Sequence, residues 1–261
     1  RVAASALTAR KWKWLTQGLT SPTYCINSIF LRKKERRIIS WSPLFNQLDL
    51  KKVYFISGLG ADKRAFSFLD LSFCDPVFID WIKPEKKETL QHYALRLKAQ
   101  ITTPHPVIVG LSFGGMLAAE MALADPTVKA ILVSSNKTTT AFPRILKTGK
   151  YLPLYKLIPA SLLKKGVFIR RLFFSPRGSR QKEVFTAILR DSDFHFTKWA
   201  IEAILHWKNK TIPGNVIHIH GTADRLLPFR KVKADYAVKG GTHLMIMNNP
   251  DVISSLLKKV I

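Results

Sequence analysis

The chain has 261 residues, 47% of them hydrophobic and 23% charged, which is enough apolar material to bury a core and too much for a disordered chain. No apolar run approaches the roughly 18 residues of a membrane-spanning helix, and the two cysteines, Cys25 and Cys74, fit no disulfide or metal pattern, as expected for thiols in a reducing, cytoplasmic compartment. Net charge is +25, yet the sequence contains no nucleic-acid-binding module, so no nucleic acid is expected as a partner.

The charge is unevenly spread: residues 1–50 carry +7, 51–136 only +2, 137–211 +12 and 212–261 +4. Residues 1–50 have no acidic residue before Glu35, are rich in Ser, Thr and Trp, and contain the basic cluster Arg32 to Arg37. They read as a basic, poorly ordered extension. Their composition resembles that of an organellar transit peptide, but they lack the continuous apolar stretch of a secretory signal.

Regular structure is predicted from Lys51 onward. Lys52 to Ser57 is a β-branched and aromatic strand broken by Gly58, Leu59 and Gly60, after which Ala61 to Leu69 has a helical pattern. Pro76 to Asp80 is a second strand. Glu88 to Ile101 is an amphipathic helix with Leu90, Tyr93, Ala94, Leu97 and Ile101 on one face. A third strand at 107–111 leads through a glycine-flanked serine into a helix from Gly115 to Ala124, followed by a fourth strand at 128–133. Strands alternating with helices, several of them almost wholly apolar, imply an open, mostly parallel sheet of about six strands with helices on both faces.

The alternation stops after Ser135. Residues 137–211 are helical and irregular, punctuated by Pro143, Gly149, Pro153, Pro159, Gly166, Pro176 and Gly178, and read as a helical cap inserted into a core formed by 51–136 and 212–261. Within it, Lys164 to Phe174 interleaves cations with aromatic and aliphatic residues, a pattern that fits an amphipathic helix on its own core, or a basic cap meeting an anionic substrate or membrane surface. A strand at 215–221, a short last strand at 236–239 and a helix at 250–260 complete the chain.

The segment Gly110-Leu111-Ser112-Phe113-Gly114 matches G-x-S-x-G between a legible strand and a legible helix. A serine forced into so tight a turn needs neighbours without Cβ, here Gly110 and Gly114, so that its Oγ stands clear above the sheet. A serine hydroxyl also needs a base within reach, and the base needs an orienting acid. Asp224 follows the strand at 215–221 and His243 follows the last strand on a glycine loop. Singly, Asp224 fits a turn residue and His243 a capping or surface histidine, but three such residues in the order Ser, Asp, His, each after a strand, read as a triad. The oxyanion hole is expected from the backbone N–H groups of Phe113 and Leu59, with Gly58 and Gly60 letting that loop approach the substrate carbonyl. His195, His206 and His218 show no metal spacing, and neither a metal nor another cofactor is expected.

Residues 52–260, about four fifths of the chain, resemble the α/β-hydrolase superfamily, particularly its small bacterial esterase-like members, through FISGLGAD (55–62), GLSFGG (110–115), HGTAD (220–224) and GGTH (240–243). The resemblance implies Ser112 as nucleophile, His243 as general base and acid, and Asp224 as the group that orients the histidine. This chain has Ser57 where many relatives have a histidine before the oxyanion glycine, and it lacks a recognisable antiparallel strand pair before the first core strand. A serine at the elbow excludes the branches that use aspartate there, the haloalkane dehalogenases and epoxide hydrolases. The implied activity is hydrolysis of a small-molecule acyl ester through an acyl-enzyme. The alternatives are an acyl thioesterase and a non-catalytic ligand-binding relative of the fold.

Overall fold

The computed structural model describes residues 50–144, 146 and 176–261. The expected extension, the segment Lys164 to Phe174 and Cys25 lie outside those residues. Six short strands form the sheet: β1 (Lys52–Ile56), β2 (Asp75–Phe78), β3 (Val107–Leu111), β4 (Lys129–Val133), β5 (Val216–Gly221) and β6 (Tyr236–Val238). Their order is β2-β1-β3-β4-β5-β6, and every neighbouring pair is parallel. The central strands are apolar on both sides because both faces are covered. Tyr54, Ile56, Ile108, Ala130 and Leu132 pack into one core cluster, while Val53, Phe55, Val107, Val109, Ile131 and Val133 pack into the other.

The helices divide between those faces. α1 (Leu90–Leu97) and α2 (Phe113–Ala124) belong to the first. α1 starts at Thr89, whose side chain accepts from the His92 N–H, and buries Leu90, Tyr93, Ala94 and Leu97 as their spacing predicts. Its end is tightened into a 3-10 turn at Lys98–Gln100, short of the predicted Ile101. From the later chain, α3 (Ser179–Asp191) gives Phe185, Ile188 and Leu189 to the second face, whereas α4 (Phe194–Leu205) gives Phe196, Ala200 and Ala203 to the first. α5 (Met245–Asn248) and α6 (Pro250–Val260) complete the second face.

The structure corrects two boundaries. The helix expected over 61–69 is a single 3-10 turn at Lys63–Phe66: the Asp62 side chain caps its start by accepting from the Arg64 N–H, and the N–H groups of Ser67 and Leu69 bond the carbonyls three residues back, on Arg64 and Phe66, in place of an α-helical ladder. The helix after the elbow opens at Phe113, two residues before Gly115. Cys74 is buried, and burial pushes its thiol up to about 11. Among the described residues, no helix is long and apolar enough to cross a membrane.

The strand order reverses between β1 and β3, and the register Ile56↔Gly110 sets their carboxyl ends side by side. In open parallel sheets the crevice at such a reversal is where ligands bind. The chain places its glycine loop and its elbow there.

Candidate active site

Ser112 has φ 50° and ψ −112°, a conformation uncommon for a residue with a Cβ. Its N–H donates to the Val133 carbonyl at 2.9 Å, and its own carbonyl accepts from the Ser135 hydroxyl at 2.6 Å. The flanking glycines are required by space. A Cβ at Gly110 would lie 2.5 Å from the Gly114 carbonyl oxygen, and one at Gly114 would lie 2.3 Å from that of Ser57. The turn therefore presses the start of α2 against β1 and leaves Ser112 half-buried.

The loops after β5 and β6 are packed on each other. A Cβ at Gly221 would meet the Gly241 carbonyl oxygen at 2.2 Å, and the Ala223 N–H donates to that same oxygen at 2.9 Å. Gly240, at φ 68°, turns the second loop back so that His243 faces both Ser112 and Asp224. His243 Nε2 lies 2.9 Å from Ser112 Oγ, and its Nδ1 lies 2.8 Å from Asp224 Oδ2. Asp224 Oδ1 accepts from the N–H groups of Leu226 and Leu227, each at 2.9 Å. With one carboxylate oxygen held by backbone and the other by Nδ1–H, the histidine presents an unprotonated Nε2 to the serine hydroxyl.

Asp224 and His243 are 4% and 2% exposed, so the carboxylate must be stabilised internally. Burial by itself raises the Asp224 carboxyl, but the charge and hydrogen bond of His243, the Leu227 N–H and His220 outweigh it. The group stays below the ordinary carboxylate value.

Gly58 packs beside the elbow, where an added Cβ would be 3.5 Å from Ser112 Cβ. The turn it opens is closed by the Ala61 N–H on the Gly58 carbonyl at 2.9 Å and braced by the Ser57 hydroxyl on the Ala61 carbonyl at 2.8 Å. Ser57 thus holds the loop, and Gly60 takes φ 68°. Leu59, Gly58 and Gly60 line the same cavity as Ser112 and His243. Phe113 is the first residue of α2, so its N–H belongs to the helix's unpaired first turn.

Three contributors were not assigned from sequence. Ser135, which in the sequence marks only the end of the alternation, holds the Ser112 carbonyl. His220 has Nε2 2.8 Å from the Leu227 carbonyl and 3.4 Å from Asp224 Oδ2, and its Nδ1 is 3.0 Å from His218 Nε2. The third is the apolar face of α3, whose Phe185, Ile188 and Leu189 wall the cavity at Ser112. Its signal was present in the helical spacing of Val184, Phe185, Ile188 and Leu189. Among the described residues, Glu85, Glu88 and His92 are close enough to share a cation, but the Arg96 guanidinium already pairs with Glu85 at 3.2 Å and Glu88 at 2.8 Å.

Residues 53–256 match the sequence pattern of the Alpha/beta hydrolase family. No curated protein sequence matches the chain. Among solved structures it is similar to a hydrolase from Pseudomonas aeruginosa, at 14% identity and a TM-score of 0.65 over 81% of this chain and 90% of that one. A lipase-esterase related protein from Clostridium acetobutylicum aligns at 16% identity with a TM-score of 0.63, covering 83% of this chain and 96% of that chain. An esterase from Exiguobacterium antarcticum aligns at 16% identity with a TM-score of 0.62, over 80% and 91% respectively. At such identities the likeness is one of fold.

Proposed function

Since the chain belongs to the alpha/beta hydrolase family, we propose that it is a serine hydrolase that cleaves carboxylic esters through an acyl-enzyme. The observation that carries this reading is the continuous contact from Ser112 Oγ to His243 Nε2 at 2.9 Å and from His243 Nδ1 to Asp224 Oδ2 at 2.8 Å. His243 removes the hydroxyl proton as Oγ attacks the ester carbonyl. The resulting oxyanion is held by the N–H groups of Phe113 and Leu59, and Asp224 stabilises the imidazolium. Collapse expels the alcohol, which takes the proton from His243. Water then repeats the sequence on the acyl-enzyme, releasing the carboxylic acid and restoring Ser112.

A thioester passes through the same intermediate and differs only in its leaving group, so substrate panels should include both. Segment 137–211 acts as a cap in this reading, supported by the contact of α3 with the Ser112 cavity. Labelling with a fluorophosphonate probe tests the proposal. Wild type should label, and Ser112→Ala and His243→Ala should not. A folded wild type that resists the probe would favour a ligand-binding role instead.

A further inference from the structure

A cavity of about 50 Å³ opens at the Ser112 hydroxyl. Apart from Ser112 and His243 its wall is apolar, built chiefly from Leu59, Phe185, Ile188, Leu189, Ile246 and Met247. No Lys, Arg, Asp or Glu lines it among the described residues. We infer that this cavity is the acyl chamber and that it restricts the enzyme to short, uncharged acyl groups, an inference that rests on Ser112 being the nucleophile.

Size sets the first limit. At about 50 Å³ the chamber is only a few times the least space that holds a water, which suits a short acyl group between acetyl and butyryl. Its walls are not free to retreat. Phe185, Ile188 and Leu189 are buried in the same cluster as Leu244 and Met247, and packed interiors resist the insertion of further methylenes. The end of α3 is also tied down. Asp191 accepts from Arg64 at 2.8 Å, Arg64 pairs with Asp62 at 2.6 Å, and the Ser192 hydroxyl bonds the Leu189 carbonyl at 3.1 Å.

Chemistry sets the second limit. A carboxylate on the acyl group would be desolvated here without a cationic partner. The chamber is assigned to the acyl half because it opens at the Ser112 hydroxyl, to which the acyl group stays bonded after the alcohol has left. A cleft of about 920 Å³ shares Gly60 and Ala61 with the chamber and carries charged residues, among them Lys83, Lys86 and Asp193. The group that stays on Ser112 until water arrives needs only the small one.

The test has two arms. The first is kcat/KM for p-nitrophenyl acetate, butyrate and octanoate, with wild type, Phe185→Ala and Leu189→Ala. Wild type should favour acetate or butyrate over octanoate by at least ~100-fold, since single methylenes already decide 10–200-fold in tight pockets. The octanoate-to-butyrate ratio should rise at least ~10-fold in whichever variant folds. The second arm compares labelling of Ser112 by the p-nitrophenyl esters of ethyl- and octylphosphonate, which needs no turnover. Wild type that prefers octanoate, or a ratio unmoved in the folded variants, overturns the inference. Equal labelling by both phosphonates overturns the chamber and leaves the nucleophile standing. Labelling by neither removes the nucleophile and the chamber together.

Discussion

The Ser135 hydroxyl donates to the carbonyl of Ser112 at 2.6 Å, so the second residue after β4 holds the elbow at the end of β3. The bond stabilises a backbone that carries φ 50° at Ser112, and Gly115 makes room for it, since a Cβ there would lie 2.5 Å from Ser135 Oγ. Ser135→Ala should cost about 1 kcal/mol in stability, the usual net worth of one such bond. It should also slow phosphonate labelling of Ser112, because the N–H groups of Gly115 and Met116 remain on that carbonyl but permit the elbow to relax. Urea denaturation and labelling rates measured together check this. A variant unchanged in both would show that the elbow holds itself.

Glycine positions separate sharply by what surrounds them. Gly114→Ala should cost more than about 3 kcal/mol, since its Cβ would overlap the backbone of Ile56 and Ser57 at 2.4 and 2.3 Å and neither strand end has room to move. Gly214→Ala, with nothing within 4 Å of its Cβ, is the matched control and should fold normally. Soluble yield and melting temperature of the pair decide the matter, and equal behaviour would contradict the packing of the elbow.

Asp224→Asn should leave the fold largely intact, because Oδ1 can still accept from Leu226 and Leu227. The amide then sets an N–H against His243 Nδ1, or presents a neutral oxygen, and the histidine loses both its tautomer and the charge that stabilises its imidazolium. The expected loss in kcat is about 10⁴-fold, as for the same change in a triad acid elsewhere. A loss under tenfold with intact melting would mean that another group orients His243.

The sheet and the three residues Ser112, Asp224 and His243, which the fold brings together, were legible because each follows a strand that short-range pattern reveals. Apolar strands announce β1, β3, β4 and β5, and the G-x-S-x-G spacing marks the elbow, although only Gly110 answers to contacts within a few residues of Ser112, while Gly114 makes room for the Ile56 and Ser57 carbonyls. The helix over 61–69 was misjudged because hydrophobic spacing does not register that the N–H groups of Ser67 and Leu69 bond carbonyls three residues back rather than four. The chamber wall was missed for a different reason. The α3 spacing gives an apolar face but not its target, and Phe185 and Ser112, which line one cavity, lie 73 positions apart in the chain. Likewise the sequence assigns His218 only a lack of metal spacing and His220 only a place in HGTAD, and it is the fold that sets His220 Nε2 3.4 Å from Asp224 Oδ2 and its Nδ1 3.0 Å from His218 Nε2.

That histidine pair should make the fold acid-sensitive before its carboxylates titrate. His220 is held below its ordinary value by burial and by His243, against the pull of Asp224 and the Leu227 carbonyl. His218 is held well below by burial, His220 and Lys137, with the Ser135 backbone opposing. In the unfolded chain both bind protons near the ordinary histidine value of about 6.5. The unfolded state then holds more protons than the folded one, so stability is full above about pH 6.5 and falls as pH drops below it, by up to about 1.4 kcal/mol per pH unit for each histidine. Urea midpoints between pH 7.5 and 5 measure this. A flat profile would mean that the pair already carries its protons in the folded state.

Glu120 should show the opposite sign. It is buried on α2, and burial raises its carboxyl above the ordinary value while the Trp207 indole N–H, donating at 2.6 Å, opposes the rise. A carboxyl harder to ionise when folded favours the native state at low pH. That contribution is lost as pH climbs from the ordinary carboxylate value through the folded one, by up to about 1.4 kcal/mol per pH unit in between. Glu120→Gln keeps an acceptor for Trp207 and removes the titration. The stability difference between variant and parent should therefore move in the variant's favour with rising pH and then level off, and taking that difference cancels the histidine effect common to both. Urea unfolding of both proteins at several pH values from 4 to 8 provides the measurement. A difference that declines with pH would show that the ionised carboxylate, bonded to Trp207, is the form that the fold prefers.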